Sequence, residues 1–117
     1  MRRFTLLLAA ALLSGAPALA QAAMPNSSIR AMNLARNTAV KLNGGLNVYR
    51  PAQCMFATAE PDNPCLVGND SRGYTFRFQG GAPGWQVLNL PPTHETEIRI
   101  SPDGRSVEKV IYNGPAR

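Results

Sequence analysis

The amino-acid sequence predicts an α+β domain: one N-terminal helix packed on an antiparallel β-meander of four to five strands. Three observations carry this. Residues 26–43 place apolar side chains at helical spacing and end on Asn43-Gly44-Gly45. Beyond that stop the apolar period changes to two. Near the end, Ser101-Pro102-Asp103-Gly104-Arg105 is a strong turn signal between two alternating segments.

The helix is predicted to start at Asn26 or Ser27, either of which can cap it, with Pro25 just outside. At 100° per residue, Ala31, Met32, Leu34, Ala35, Thr38, Ala39 and Leu42 share one side. Arg30, Asn33, Arg36, Asn37 and Lys41 share the other, while Ile29 and Val40 fall outside the apolar arc. Ala31, Ala35 and Ala39 form an i, i+4 ridge that lets the helix lie close on a sheet. At the stop, glycine supplies the left-handed C-terminal residue at little cost.

The strand candidates follow in order. Leu46–Arg50 and Cys54–Ala57 are short ones. Leu66-Val67 begins a third before Gly68-Asn69-Asp70 turns the chain. Gly73–Gln79 is the clearest, with Tyr74, Phe76 and Phe78 on one face and Thr75, Arg77 and Gln79 on the other. After the loop Gly80–Gly84, Trp85–Leu88 is a short candidate, and Leu90-Pro91-Pro92 is a rigid connector. His94–Ser101 alternates Thr96, Ile98 and Ile100 against Glu95, Glu97 and Arg99, and Val107–Tyr112 returns as its hairpin partner. Asn113-Gly114-Pro115 is expected to end the fold.

Residues 1–22 read as a cleavable signal peptide, leaving residues 23–117 as a single domain. Arg2 and Arg3 supply the basic region. Phe4–Leu13 is uncharged and apolar, and Ser14, Gly15 and Pro17 break it. Small residues then fit cleavage before Gln21 or before Ala23. The apolar run is about half the roughly 20 residues a spanning helix needs. Twin-arginine export is a weaker alternative, because the residues flanking Arg2-Arg3 fit poorly. The expected location is therefore periplasmic or extracellular.

Removing Arg2 and Arg3 lowers the formal charge from +5 to +3. This is an ordinary value for solubility and makes no case for nucleic acid. The placement of charge is more informative, because no acid precedes Glu60. Arg30, Arg36 and Lys41 form a candidate cationic helix face that fits an anionic surface; the bland alternative is a solvated face. No segment of the mature chain is long and apolar enough to span a membrane.

Export makes an intramolecular disulfide the default for Cys54 and Cys65. Chain-entropy arguments assign closure of such a short loop somewhat under ~3 kcal/mol. The spacing is not Cys-x-x-Cys, which disfavours a redox pair. Two cysteines and one histidine do not complete a zinc site. No cofactor signature is present.

The candidates for chemistry are few. His94 is the only histidine, and no Gly-x-Ser-x-Gly elbow accompanies Ser71, Ser101 or Ser106. Glu95 and Glu97, about 7 Å apart at the backbone on one strand face, are the pair a small hydrolase would use, with His94 beside them. A plain exposed row paired to Glu108 or Lys109 is the simpler reading. Gly80–Gly84 lacks the spacing of a phosphate-binding loop. Trp85, the only tryptophan, either plugs the core or forms an apolar recognition edge with Pro83, Gly84 and Leu88. The expectation is thus a non-enzymatic binding module for a protein, peptide or envelope component. A small hydrolase and a surface-associating protein are the alternatives.

The order of helix, glycine stop, strands and final Asp-Gly hairpin is similar to cystatin-like and PepSY-like secreted domains, although an internal disulfide departs from the usual PepSY pattern. The chain more closely resembles a family of small exported cyanobacterial proteins of unknown function. That resemblance rests on Asn43-Gly44-Gly45-Leu46, Tyr49-Arg50-Pro51, Cys54-Met55-Phe56, Asn63-Pro64-Cys65-Leu66, Phe76-Arg77-Phe78 and Pro83-Gly84-Trp85, and covers most of residues 29–114. It implies export and supplies no catalytic residues to carry over. It also argues against use of the glycosylation acceptors Asn26-Ser27-Ser28 and Asn69-Asp70-Ser71.

Overall fold

The computed structural model describes residues 25–117, so the signal peptide expected over residues 1–22 lies outside the described residues. One helix, α1 (Asn26–Leu42), packs on a five-stranded antiparallel sheet. The strands are β1 (Arg50–Pro51), β2 (Leu66–Asp70), β3 (Gly73–Gly81), β4 (His94–Ile100) and β5 (Val107–Pro115). From β2 to β5 each strand pairs with the next, as in a meander. β4 occupies one side of β3 from Tyr74 to Gly80. β1 and β2 therefore share the other side: β2 pairs along Gly73–Phe76, and β1 at Gly80-Gly81.

The alanine ridge does what its spacing predicts. Ala31, Ala35 and Ala39 are fully buried and, with Met32, meet Phe76, Phe78, Ile98 and Ile100 on the sheet. Small side chains let the helix backbone approach the sheet, which leaves room for the large residues opposite. Leu42, predicted to be on the apolar side, is instead exposed because it sits at the helix end. The start of the helix also differs from expectation. Pro25 occupies the capping position, and neither Asn26 nor Ser27 makes a capping hydrogen bond. The Ser28 hydroxyl donates to the Pro25 carbonyl at 2.9 Å, while the Ser27 and Tyr74 hydroxyls lie 2.7 Å apart. At the other end Gly44 and Gly45 follow with φ of 100° and 96°.

Three expected strands are not formed as predicted. Residues 46–48 turn, and only Arg50–Pro51 pairs with the sheet. Residues Gln53–Phe56 form a 3₁₀ turn rather than a strand. Trp85–Leu88 lies in a coiled turn, where the amides of Leu88 and Leu90 donate back to the carbonyls of Gly84 and Trp85 at 2.9 and 2.8 Å. Three strands run further than expected. β3 continues through Gly80-Gly81, the first two residues of the expected loop, where it pairs with Pro51 and Arg50. β2 continues through Gly68-Asn69-Asp70, so the chain turns at Ser71-Arg72. β5 continues through Asn113-Gly114-Pro115, pairing with Thr96, Glu95 and His94.

The Ser101–Arg105 turn is formed, and it docks on the start of α1. Ser101 Oγ donates to Asp103 Oδ1 at 2.6 Å, and the Arg105 amide donates to the same oxygen at 3.0 Å. The Arg30 guanidinium donates twice to the Asp103 carbonyl, at 3.1 and 2.6 Å. Gly104 has φ of 76° and sits against the helix backbone, where a Cβ would strike the Ser27 carbonyl. β5, at one of the two sheet edges, carries register shifts beside Glu108 and Ile111. Such bulges interrupt the ladder that another edge strand would need.

Cys54 and Cys65 form a disulfide across a sequence separation of 11. It closes the segment that leaves β1 and returns as β2. Inside the loop the Asn63 side chain is buried and donates to the carbonyls of Cys54 and Thr58, both at 2.9 Å, and accepts from the Cys65 amide.

Candidate functional site

Two regions gather the residues that carry chemistry. The first is the sheet face away from the helix. Register places Arg77 opposite Glu97 and Gln79 opposite Glu95. These four side chains, with Gln86, Arg117 and the Cys54–Cys65 bridge, line an open cavity of about 720 Å³. The predicted carboxylate pair is therefore in a concave basin, not on a flat row. Arg117 dominates it. Its amide and guanidinium donate to Glu95 at 3.1 and 2.9 Å, the same guanidinium lies 3.7 Å from Glu97, and it stacks over the Tyr112 ring at 3.6 Å. Hydrogen bonds from Arg117 hold the Glu95 carboxyl below its usual range and raise the Arg117 pKa in return. A general acid needs the opposite shift.

His94 does not join this basin. It belongs to the face carrying Thr96, Ile98 and Ile100, where its ring meets Tyr49 edge-on at 5.5 Å. The sequence trio His94, Glu95 and Glu97 is thus split across the two faces, as neighbours on a strand must be. The Tyr49 hydroxyl is buried without a hydrogen-bond partner. Burial raises its pKa, while the nearby Thr96 and Asn43 side chains pull the other way. Among the described residues no group of three or more His, Cys, Asp or Glu is placed to hold a metal ion.

The second region is the turn around Trp85. The Trp85 side chain is only 6 % exposed and packs against Gly81, where a Cβ would sit 2.9 Å from its Cγ. Its Nε1 donates to the Arg50 carbonyl at 2.9 Å, and Gln86 Oε1 accepts from the Gln53 amide at 2.8 Å. The indole therefore anchors the turn and does not itself present a surface. The neighbouring side chains do: Val87 is 80 % and Leu88 64 % exposed, and Pro83, Gly84 and Leu90 are exposed beside them. A shallow groove of about 200 Å³ runs beneath, bordered by Phe56, Trp85 and Val87. Sequence reasoning singled out Pro83, Gly84, Trp85 and Leu88; it missed Val87, whose exposure depends on the turn coiling rather than extending.

The three cations of the predicted helix face are used differently. Arg30 holds the β4–β5 turn. Arg36 donates to the Met55 carbonyl at 2.9 Å and lies 5.0 Å over the Phe56 ring. Lys41 is exposed. No helix among the described residues is long and apolar enough to cross a membrane. No family model, curated protein or solved structure matches the chain.

Proposed function

We propose that this protein is an exported, non-enzymatic binding module of the cell envelope that engages its ligand through the Trp85 turn. The observation that carries this reading is the exposure of Val87 and Leu88 on a turn held by the buried Trp85. Large apolar side chains on a rigid support lose little conformational freedom on contact, so more of their burial appears as affinity. Export is supported by the three-part N-terminal pattern and by the disulfide. The likeness to exported cyanobacterial proteins belongs to the same proposal.

The basin on the sheet face away from the helix favours a hydrolase less. Arg117 spans both carboxylates and keeps Glu95 ionised, which suits anchoring of the C-terminal segment better than proton donation. The test of the binding reading uses immobilised oxidised protein and envelope extract. Components retained by the wild type are expected to be lost with the double variant Val87→Ser/Leu88→Ser. Equal retention by both, or none by either, refutes the reading.

A further inference from the structure

One end of the domain combines exposed apolar side chains with a lack of acids. The end of α1, the turn at 46–48, β1, the Trp85 turn and the start of β4 all meet there. Three contacts establish this convergence. The Trp85 indole donates to the Arg50 carbonyl. The Thr93 amide donates to the Gly80 carbonyl at 3.0 Å. The Asn43 side chain donates to Asn113 Oδ1 at 3.1 Å, an atom that also accepts from Thr96. Leu42, Leu46, Val48, Val87, Leu88 and Leu90 are all exposed at this end. No Asp or Glu occurs in residues 25–59 or 71–94, whereas Lys41 and Arg50 are exposed there. Glu95, the acid nearest in sequence, is already paired with Arg117. Asp70 and Asp103 lie at the far end, in the turns beside Gly73 and Ile100.

We propose that this end docks on an anionic lipid bilayer, with Val87, Leu88, Leu46 and Val48 entering the boundary of the acyl region and Lys41 and Arg50 among the head groups. This rests on the reading of the Trp85 turn as the binding surface and names its partner. Two occupants compete, and the chemistry favours lipid over both. An acidic polysaccharide would satisfy the cations but offers the apolar tips nothing to enter. A second copy packed end to end through a two-fold axis would set the same acid-free cationic patch against itself, with no acid to pair Lys41 and Arg50. A bilayer answers both features, because apolar area and attraction to anionic head groups add.

The test is co-sedimentation of the oxidised protein with vesicles of phosphatidylglycerol mixed in phosphatidylcholine, and of phosphatidylcholine alone. Binding is expected on the anionic vesicles, weakening at high salt and on the neutral ones. Val87→Ser/Leu88→Ser is expected to weaken it roughly tenfold or more. Lys41→Gln is expected to weaken it roughly fivefold, as for one basic residue near a bilayer. Both substitutions are at exposed positions, and circular dichroism checks that the variants fold. Absence of sedimentation overturns the lipid assignment. If the wild type then forms a concentration-dependent dimer that the double variant loses, the turn remains a binding surface and its occupant is a second copy. Sedimentation unchanged by the double variant overturns the turn as the surface, and with it the reading on which this inference rests.

Discussion

Replacing Gly104 by alanine tests how the β4–β5 turn is locked to the helix. Gly104 has φ of 76°, and the added Cβ would collide with the Ser27 carbonyl and lie 3.0 Å from the Ala31 nitrogen. The left-handed conformation alone costs an L-residue about 1–2 kcal/mol. Forcing a methyl group against helix backbone, which cannot swing aside as a side chain can, adds about 1–3 kcal/mol. The total is about 2–5 kcal/mol. For a domain of this size that lowers Tm by roughly 10–30 °C. Gly45→Ala separates the two contributions. Gly45 has φ of 96° but nothing within 4 Å of the point where a methyl group would stand, so it carries the conformational cost alone. Thermal denaturation followed by circular dichroism gives both values. If Gly104→Ala melts no lower than Gly45→Ala, the docking of the turn on the helix is not the constraint described.

Two further predictions concern covalent and ionic ties. Replacing Cys54 and Cys65 by serine frees a loop of separation 11, worth about 2.8 kcal/mol by the chain-entropy relation, so Tm is expected to fall by roughly 10–20 °C; an unchanged melt refutes this. The Glu95 carboxyl sits below its ordinary pKa of 4.5 when folded, so its contribution is complete above that value and is lost as pH falls through the lower folded value. Glu95→Gln is therefore expected to flatten part of the acid limb of a Tm-against-pH curve, and two curves of identical shape would count against the Arg117–Glu95 tie.

The elements with a strict period were legible in the sequence because burial enforces it. Phe76 and Phe78 face Ile98 and Thr96 across the β3–β4 pairing, so their alternation reports one buried face directly. Ala31, Ala35 and Ala39 report the helix in the same way. The short segments were not legible. Leu46 and Val48 alternate with polar residues yet are exposed, because the backbone turns to bring Tyr49 into the core. Residues 53–56 coil where the disulfide and the Ala52 amide, which donates to the Gln79 carbonyl at 2.8 Å, fix the path. The Arg117–Glu95 contact joins residues 22 apart and depends on the β4–β5 register, which local pattern does not encode. The Trp85 turn was recognisable as a place of interest from its composition. Which of its side chains face outward follows only from the coil.

The division of one β3 edge between two strands leads to the expectation that oxidation matters during folding. Between β1 and β2 that edge is met only by the ends of the loop, where Cys65 accepts from the Arg77 amide at 2.9 Å and Ala52 donates to Gln79. A two-residue β1 has little hold of its own. Until the cysteines join, the segments beside the middle of β3 are held by hydrogen bonds alone, and that edge is expected to be less well guarded against a strand from a neighbouring chain. Bond formation closes that interval. The bridge thus acts as a time limit on vulnerability as well as a reinforcement of the finished domain, and the yield of correctly folded protein should follow the speed of oxidation more closely than the final melting temperature does.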